Sequence, residues 1–232
     1  MLNVSILQQP DYVSCGPTCL QALYQYFNDD VSIQQIINEI PALETYGTLA
    51  VLLGCHALNR GYQVNLHAIN LYVFDPSWFK QRHVSLIDKL EKQLEHAQDQ
   101  KIHFATKAYI QFLQLGGKIH CSSIKKDLIC DYLSRKIPML TGVNATYFYQ
   151  TMRDYTPSAQ LGVYDEWEGE QSGHFIVIHG YHQSEDKLSI ADPFVPHPIS
   201  RHPYYAISYD HWLHAHLLGA VSYDTELLAI WR

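Results

Sequence analysis

Apolar positions recur at helical spacing in several stretches of this chain and alternate in others, and the two periods predict its elements. Over 15–27, Leu20, Leu23, Tyr24 and Phe27 share one face, which predicts a helix. Pro17 fits its first turn, where the backbone N–H groups have no intrahelical partner. Ser32-Ile33-Gln34-Gln35 reads as a capping box that opens a short helix to Ile40, stopped by Pro41. A third helix is predicted over 48–59, ended by Gly61, and a strand over 62–71. Residues 3–8 alternate weakly and predict a short strand ahead of all of these.

The stretch 75–117 reads as a helical insert. Leu86, Leu90, Leu94 and Ala97 form one stripe over 85–98, and a second helix over 104–115 stops at Gly116-Gly117. A strand at 118–122, a helix over 123–135 and a buried strand over 137–143 follow. Pro138 starts the last of these, where its missing donor is harmless. From 144 to 172 the periodicity dissolves into aromatic and acidic residues, which predicts a long surface loop. Gly173 to Tyr181 is the strongest strand signal of the chain. It pairs through a polar turn at 183–186 with a strand over 187–191 that Asp192-Pro193 terminates. A strand at 204–208, a helix at 210–217 and a strand at 227–231 complete the order. The expectation is one α+β domain over 1–232, with a helical subdomain beginning at Cys15 packed on a mostly antiparallel sheet.

Composition narrows the function classes. With 232 residues, 47% hydrophobic and 17% charged, the chain has the make-up of a soluble globular protein with a sizeable core. No apolar run reaches the roughly 18 residues of a membrane span, and Met1-Leu2-Asn3-Val4 lacks the start of a secretory signal. A net charge of −7 argues against nonspecific nucleic-acid binding. Five scattered cysteines form neither a disulfide framework nor paired zinc knuckles, and a reducing, cytoplasmic setting fits them. His211, His214 and His216 do not share one helix face, so neither a metal nor another cofactor is expected. His179 and His182 read as structural, and Cys19 as a small buried hydrophobe.

The chemistry concentrates in Gln9-Pro10-Asp11-Tyr12-Val13-Ser14-Cys15-Gly16-Pro17-Thr18-Cys19-Leu20. It places Cys15 at a helix start, where the partial positive charge of exposed N–H groups favours a thiolate. The Gln9 amide and the Cys15 N–H together would form a two-donor oxyanion hole. A sulfur nucleophile needs a base held by a third group. Among fourteen histidines, His174 stands out because it opens the strongest strand, directly after a glycine. Asp192 ends the neighbouring strand, so the hairpin would set its carboxylate against one ring nitrogen while the other faces the sulfur. Gly173 would let a substrate backbone pass close to the histidine. Asp165, Glu166 and Trp167 in the acidic-aromatic loop are candidate substrate contacts, as part of a lid favouring cationic or aromatic groups.

Gln9, Cys15-Gly16-Pro17-Thr18-Cys19-Leu20, Gly173-His174-Phe175-Ile176-Val177 and Ala191-Asp192-Pro193 together resemble family thirty-nine of the cysteine peptidases. That is the papain-like group whose best-known members trim double-glycine leaders from bacteriocin precursors. The resemblance covers the first 60 or so residues and about 137–193. It implies a papain-like fold with Cys15 as nucleophile, His174 as base, Asp192 as its orienting group and Gln9 as oxyanion donor. With no transporter segment, and with the insert and the long loop added, the chain is most similar to the stand-alone branch of that family. The implied activity is cleavage of a peptide or amide bond. The alternatives are acyl transfer, as in the papain-like phytochelatin synthases, and a peptide-binding module without catalysis. A peptide ligase of the ATP-grasp type is a partner implied by analogy with stand-alone relatives.

Overall fold

A computed structural model describes residues 1–41, 47–68, 70–80, 85–159, 161–219 and 226–232. Residues 69, 81–84 and 160, which fall in the predicted strand, insert and loop, lie outside the described residues. In chain order the first elements are α1 (Cys15–Tyr26), α2 (Ile33–Glu39), α3 (Ala50–Asn59), β1 (Gln63–Ala68), α4 (Leu86–His96), α5 (Gln100–Gln114) and β2 (Lys118–His120). Then come α6 (Lys126–Ser134), β3 (Met139–Asn144), α7 (Ala145–Tyr149), β4 (Asp154–Ser158), β5 (Leu161–Tyr164) and β6 (Gly173–His182). The C-terminal part adds β7 (Lys187–Ala191), β8 (Tyr204–Ser208), α8 (Tyr209–Leu218) and β9 (Glu226–Trp231).

Seven strands form one sheet in the order β2-β1-β9-β3-β6-β7-β8. Only β1 and β2 run parallel, and every other neighbouring pair is antiparallel. Alternate residues of each strand serve opposite faces. On β6, Phe175 and Val177 join the core beneath α1 to α5, while Ile176 and Ile178 join the core beneath α6 to α8. Leu228 and Ile230 of β9 face the first side, Leu227 and Ala229 the second. Helices therefore cover both faces, and the N-terminal helical group accounts for one of them. The unbroken apolar runs Phe175-Ile176-Val177-Ile178 and Leu227-Leu228-Ala229-Ile230 are what a doubly covered strand requires.

Most predicted elements stand where periodicity put them, and the departures have local causes. Residues 3–8 form no strand. Val4 and Ile6 are buried, but the segment is held by single bonds: the Leu2 N–H donates to the His179 carbonyl (2.7 Å) and the Ile6 N–H to the Tyr204 hydroxyl (3.0 Å). Helix α5 begins earlier than its apolar stripe because the Asp99 carboxylate accepts from the Lys101 and Ile102 N–H groups, an N-cap. The stretch 144–172 is not an irregular loop. Asn144 caps α7 by accepting from the Tyr147 N–H (2.9 Å), and β4 and β5 pair as a separate hairpin that Glu170 bridges at Asp154. These pieces are too short for a helical or alternating period to register.

Helix α1 lies directly on β6. The Cys19 thiol donates to the Phe175 carbonyl at 3.2 Å. A β-carbon on Gly16 would stand 2.8 Å from Thr48 Cγ2 and 3.1 Å from both Leu53 Cδ1 and Phe175 Cδ2. A residue this size is what lets the start of the helix approach the strand. Gly16→Ala is expected to destabilise the protein by about 1–3 kcal/mol through overpacking, read as a lower midpoint in urea unfolding. A wild-type midpoint would mean that the helix start is not pressed against the sheet.

Candidate active site

The site begins where β6 and β7 run out beside each other. Val177 pairs with Ala191, so the hairpin leaves His174 and Asp192 at the same end of the sheet. There His174 Nε2 donates to Asp192 Oδ1 at 2.8 Å. Asp192 has no exposed surface and His174 almost none. A carboxylate buried this completely needs a donor for each lone pair. The Phe194 N–H supplies a second donor to Oδ1 (3.0 Å), while the hydroxyls of Tyr149 (2.8 Å) and Tyr205 (2.6 Å) both donate to Oδ2.

These contacts set the charges. Burial by itself would raise the Asp192 carboxyl, but the His174 charge and hydrogen bond, with help from Tyr205 and Phe194, hold it below the ordinary carboxylate range. Burial would likewise push the His174 imidazole toward neutrality. The Asp192 charge and hydrogen bond overcome it, the Cys15 sulfur adds a hydrogen bond and its own charge, and the pKa rises to about 10. With Nε2 committed to Asp192, Nδ1 is the ring nitrogen left for that sulfur.

Cys15 is the first residue of α1 and is largely buried. Ser14 occupies the N-cap position, yet its hydroxyl makes no cap bond; it donates instead to Asp11 Oδ1 at 2.6 Å. Asp11 also accepts from the Val13 N–H, which ties the loop into the helix. The first N–H groups of α1 are therefore left without a side-chain acceptor at the position of the sulfur, a setting that favours negative charge. Gln9 joins the site through its backbone N–H, which donates to the Pro193 carbonyl next to Asp192 (2.9 Å). Its amide nitrogen donates one proton to the Asp11 carbonyl (2.8 Å), and the same amide carries a second N–H. Gln8, its neighbour, is directed away to the Val195 carbonyl.

Gln9, Gly173 and His174 line a narrow pocket of about 40 Å³, with Tyr12, Asp154 and Tyr164 on the side of the β4–β5 hairpin. The structure thus brings Gln9, Cys15, His174, Asp192 and Gly173 to one place. Asp165, Glu166 and Trp167 are not part of that lining. The Asp165 carboxylate accepts from the Trp167 and Glu168 N–H groups of its own turn, which hold it below the ordinary carboxylate range. The Arg153 guanidinium clasps the Glu166 carbonyl, and the Trp167 side chain stands in solvent. Tyr149, Tyr205, Tyr12 and Asp154 are the residues that sequence reasoning missed. Tyr12 lies inside the quoted Gln9–Leu20 stretch, and Tyr149 and Asp154 inside the aromatic and acidic stretch 144–172, but no period or spacing gave any of the four a role.

The remaining candidates are structural. Cys19 is wholly buried, and burial, with the nearby Cys15 and Asp192 charges, pushes its thiol well up. His216 is buried against Trp212 and bonded to the Gly142 carbonyl (2.9 Å), while His211 bonds to the Phe148 carbonyl (2.9 Å). His179 and His182 bond to the Leu2 carbonyl and the Ser189 hydroxyl. Among the described residues no group of His, Cys, Asp and Glu has the arrangement of a metal site.

The buried pair makes stability depend on pH in a defined sense. His174 binds its proton more tightly folded than unfolded, so its contribution is complete below about 6.5 and is lost as pH rises through about 10. Asp192 releases its proton more readily when folded, so its contribution is present above about 3.8 and is lost as pH falls through its lowered value. Asp192→Asn is expected to cost most stability between these limits and progressively less outside them. Urea unfolding of both proteins from pH 3 to 10 reads this directly, and a pH-independent difference would show that the pair does not carry it.

In sequence, residues 1–210 match the model of the Peptidase_C39 like family. No curated protein matches the chain. Among solved structures, one assigned as a C39-like peptidase from Bacillus anthracis aligns over 100% of this chain and 96% of its own, at 13% identity and a TM-score of 0.43. The sheet with its flanking helices is the papain-like arrangement. Matched over nearly its whole length, the chain belongs to the Peptidase_C39 like family.

Proposed function

We propose that this protein is a cysteine hydrolase that cleaves a peptide or amide bond with Cys15 as nucleophile, His174 as acid and base, and Asp192 as the group that orients the imidazole. The observation that carries this reading is the fully buried Asp192 bonded to His174 Nε2, which leaves Nδ1 for a sulfur at an uncapped helix start. Membership of a peptidase family supports it.

The Cys15 thiolate attacks the carbonyl carbon, a C–S bond forms, and the carbonyl electrons move onto oxygen. The free N–H of the Gln9 amide and the backbone N–H of Cys15 are the donors for that oxyanion. His174, protonated and stabilised by Asp192, gives its Nδ1 proton to the leaving nitrogen as the C–N bond breaks. A water molecule, deprotonated by His174 Nδ1, then attacks the thioester carbon; as the C–S bond breaks the acid is released, and the Cys15 thiolate and the protonated His174 are regenerated. No helix among the described residues is long and apolar enough to cross a membrane.

A library of fluorogenic peptide amides, run with wild type and Cys15→Ala, tests the reading. Turnover by the wild type and a loss of roughly a thousandfold or more in the variant are expected. Equal rates would remove Cys15 from the chemistry. Products formed with an added amine separate hydrolysis from acyl transfer: the free acid marks the first and the amide of the added amine the second.

A further inference from the structure

Asp154 is the first residue of β4 and only 6% exposed. Its Oδ2 accepts from the Tyr12 hydroxyl at 2.8 Å, whereas Oδ1 is buried without a hydrogen-bond partner. Among the described residues no lysine or arginine pairs with it. Arg153, its neighbour, turns its guanidinium to the Glu166 and Trp167 carbonyls instead. A buried carboxylate oxygen without a donor is costly to fold and needs a reason.

The pocket offers one. Asp154 lines it together with Gln9 and His174. Gln9, in the same lining, brings a second buried and unpartnered atom, Oε1, so the two lining residues with an orphaned atom both offer an acceptor. The aromatic rings of Tyr12, Tyr164 and Phe194 form much of the rest. The complement of two acceptors, one of them on a carboxylate, among aromatic rings is a compact cation that carries donors only; the His174 imidazolium in the same lining already has its counter-charge in Asp192. An ammonium group has three donors and no acceptor, and aromatic faces attract it further. A volume of about 40 Å³ suits such a point charge better than a planar guanidinium.

Position relates this pocket to the reaction. It shares His174, the residue that protonates the leaving nitrogen, and Gln9, but Cys15 is not among its lining residues. The geometry points to Asp154 as a specificity residue that binds an ammonium group on the leaving-amine side of the scissile bond. This rests on the hydrolase reading given above. The substrate class is then an amide whose leaving amine bears a second, charged amine: a peptide with lysine after the cleaved bond, or an N-acylated diamine.

Matched amides with one acyl group and different leaving groups test this. Lysinamide is compared with norleucinamide in a peptide arm, and 1,4-diaminobutane with n-butylamine in a small-molecule arm. In the wild type, kcat/KM is expected to favour the charged member by about tenfold or more in at least one arm, and the arm that shows it identifies the source of the ammonium. Asp154→Asn should bring that ratio close to one. A wild-type ratio near one, or a ratio unchanged in Asp154→Asn, would overturn the assignment, and the wild-type ratio decides even where the variant does not fold. If no amide is turned over and a thiol-directed probe leaves Cys15 unlabelled, the hydrolase reading has failed on its own. Binding to the wild type followed by NMR then decides for Asp154. Shifts at Asp154 and Tyr12 with N-acetyl-lysine amide but not with N-acetyl-norleucine amide support the ammonium site, and no difference between the two ends it.

Discussion

Four donors converge on one carboxylate that water never reaches, and the rest of the site depends on their doing so. Asp192 accepts from His174 on β6, from Tyr149 at the end of α7, from Tyr205 on β8 and from the N–H of Phe194 in its own turn. Losing one of these donors would be strongly destabilising, because the charge would stay buried without full compensation. The consequence is that the sheet, the short helix α7 and the turn after β7 must all be in place before His174 has a defined orientation. Two of the four donors are tyrosines whose own ionisation is pushed well up, first by burial and then by Asp192, so they stay hydroxyl donors.

The other half of the site is arranged by a loop that leaves a helix unfinished. Asp11 takes the Ser14 hydroxyl that would ordinarily cap α1, and also the Val13 N–H. The helix start forgoes roughly 1 kcal/mol of capping, and in return the N–H groups of Cys15 and Gly16 have no side-chain cap. Sites that give up stability in this way are expected where charge has to be bound during a reaction. Gly16 completes the arrangement by letting α1 press onto Phe175, which brings the helix carrying the sulfur against the strand that carries the imidazole.

The segment between β3 and β6 ties the two halves together. Tyr12, three residues before Cys15, donates its hydroxyl to Asp154 and its backbone N–H to the Ala159 carbonyl, and its ring fills the space over Gly162. The hairpin therefore packs on the loop that leads into Cys15. Through α7 the same segment also supplies Tyr149 to Asp192. A stretch that reads as an irregular cover in sequence is thus bonded to both the sulfur-bearing loop and the buried carboxylate.

The sequence by itself determined the element types wherever apolar residues repeat for two turns or more, as on α1 and α4, or run unbroken, as on β6 and β9. It also singled out the candidate residues of the site: Gln9 and Cys15 at a fixed offset ahead of a helix, and His174 and Asp192 at the end of one hairpin, where local strand pairing sets their distance. The tertiary structure alone decided which other side chains meet them. Tyr205 reaches Asp192 because β8 pairs with β7, Tyr149 because α7 turns back against the sheet end, and Asp154 because the hairpin docks on Tyr12. It also decided that Asp165, Glu166 and Trp167 stand outside the pocket, since the Asp165 carboxylate is bound by its own turn. The physical reason is common to these cases: a polar or aromatic residue in a short element leaves no periodic trace in the chain, and its partner is chosen by long-range packing.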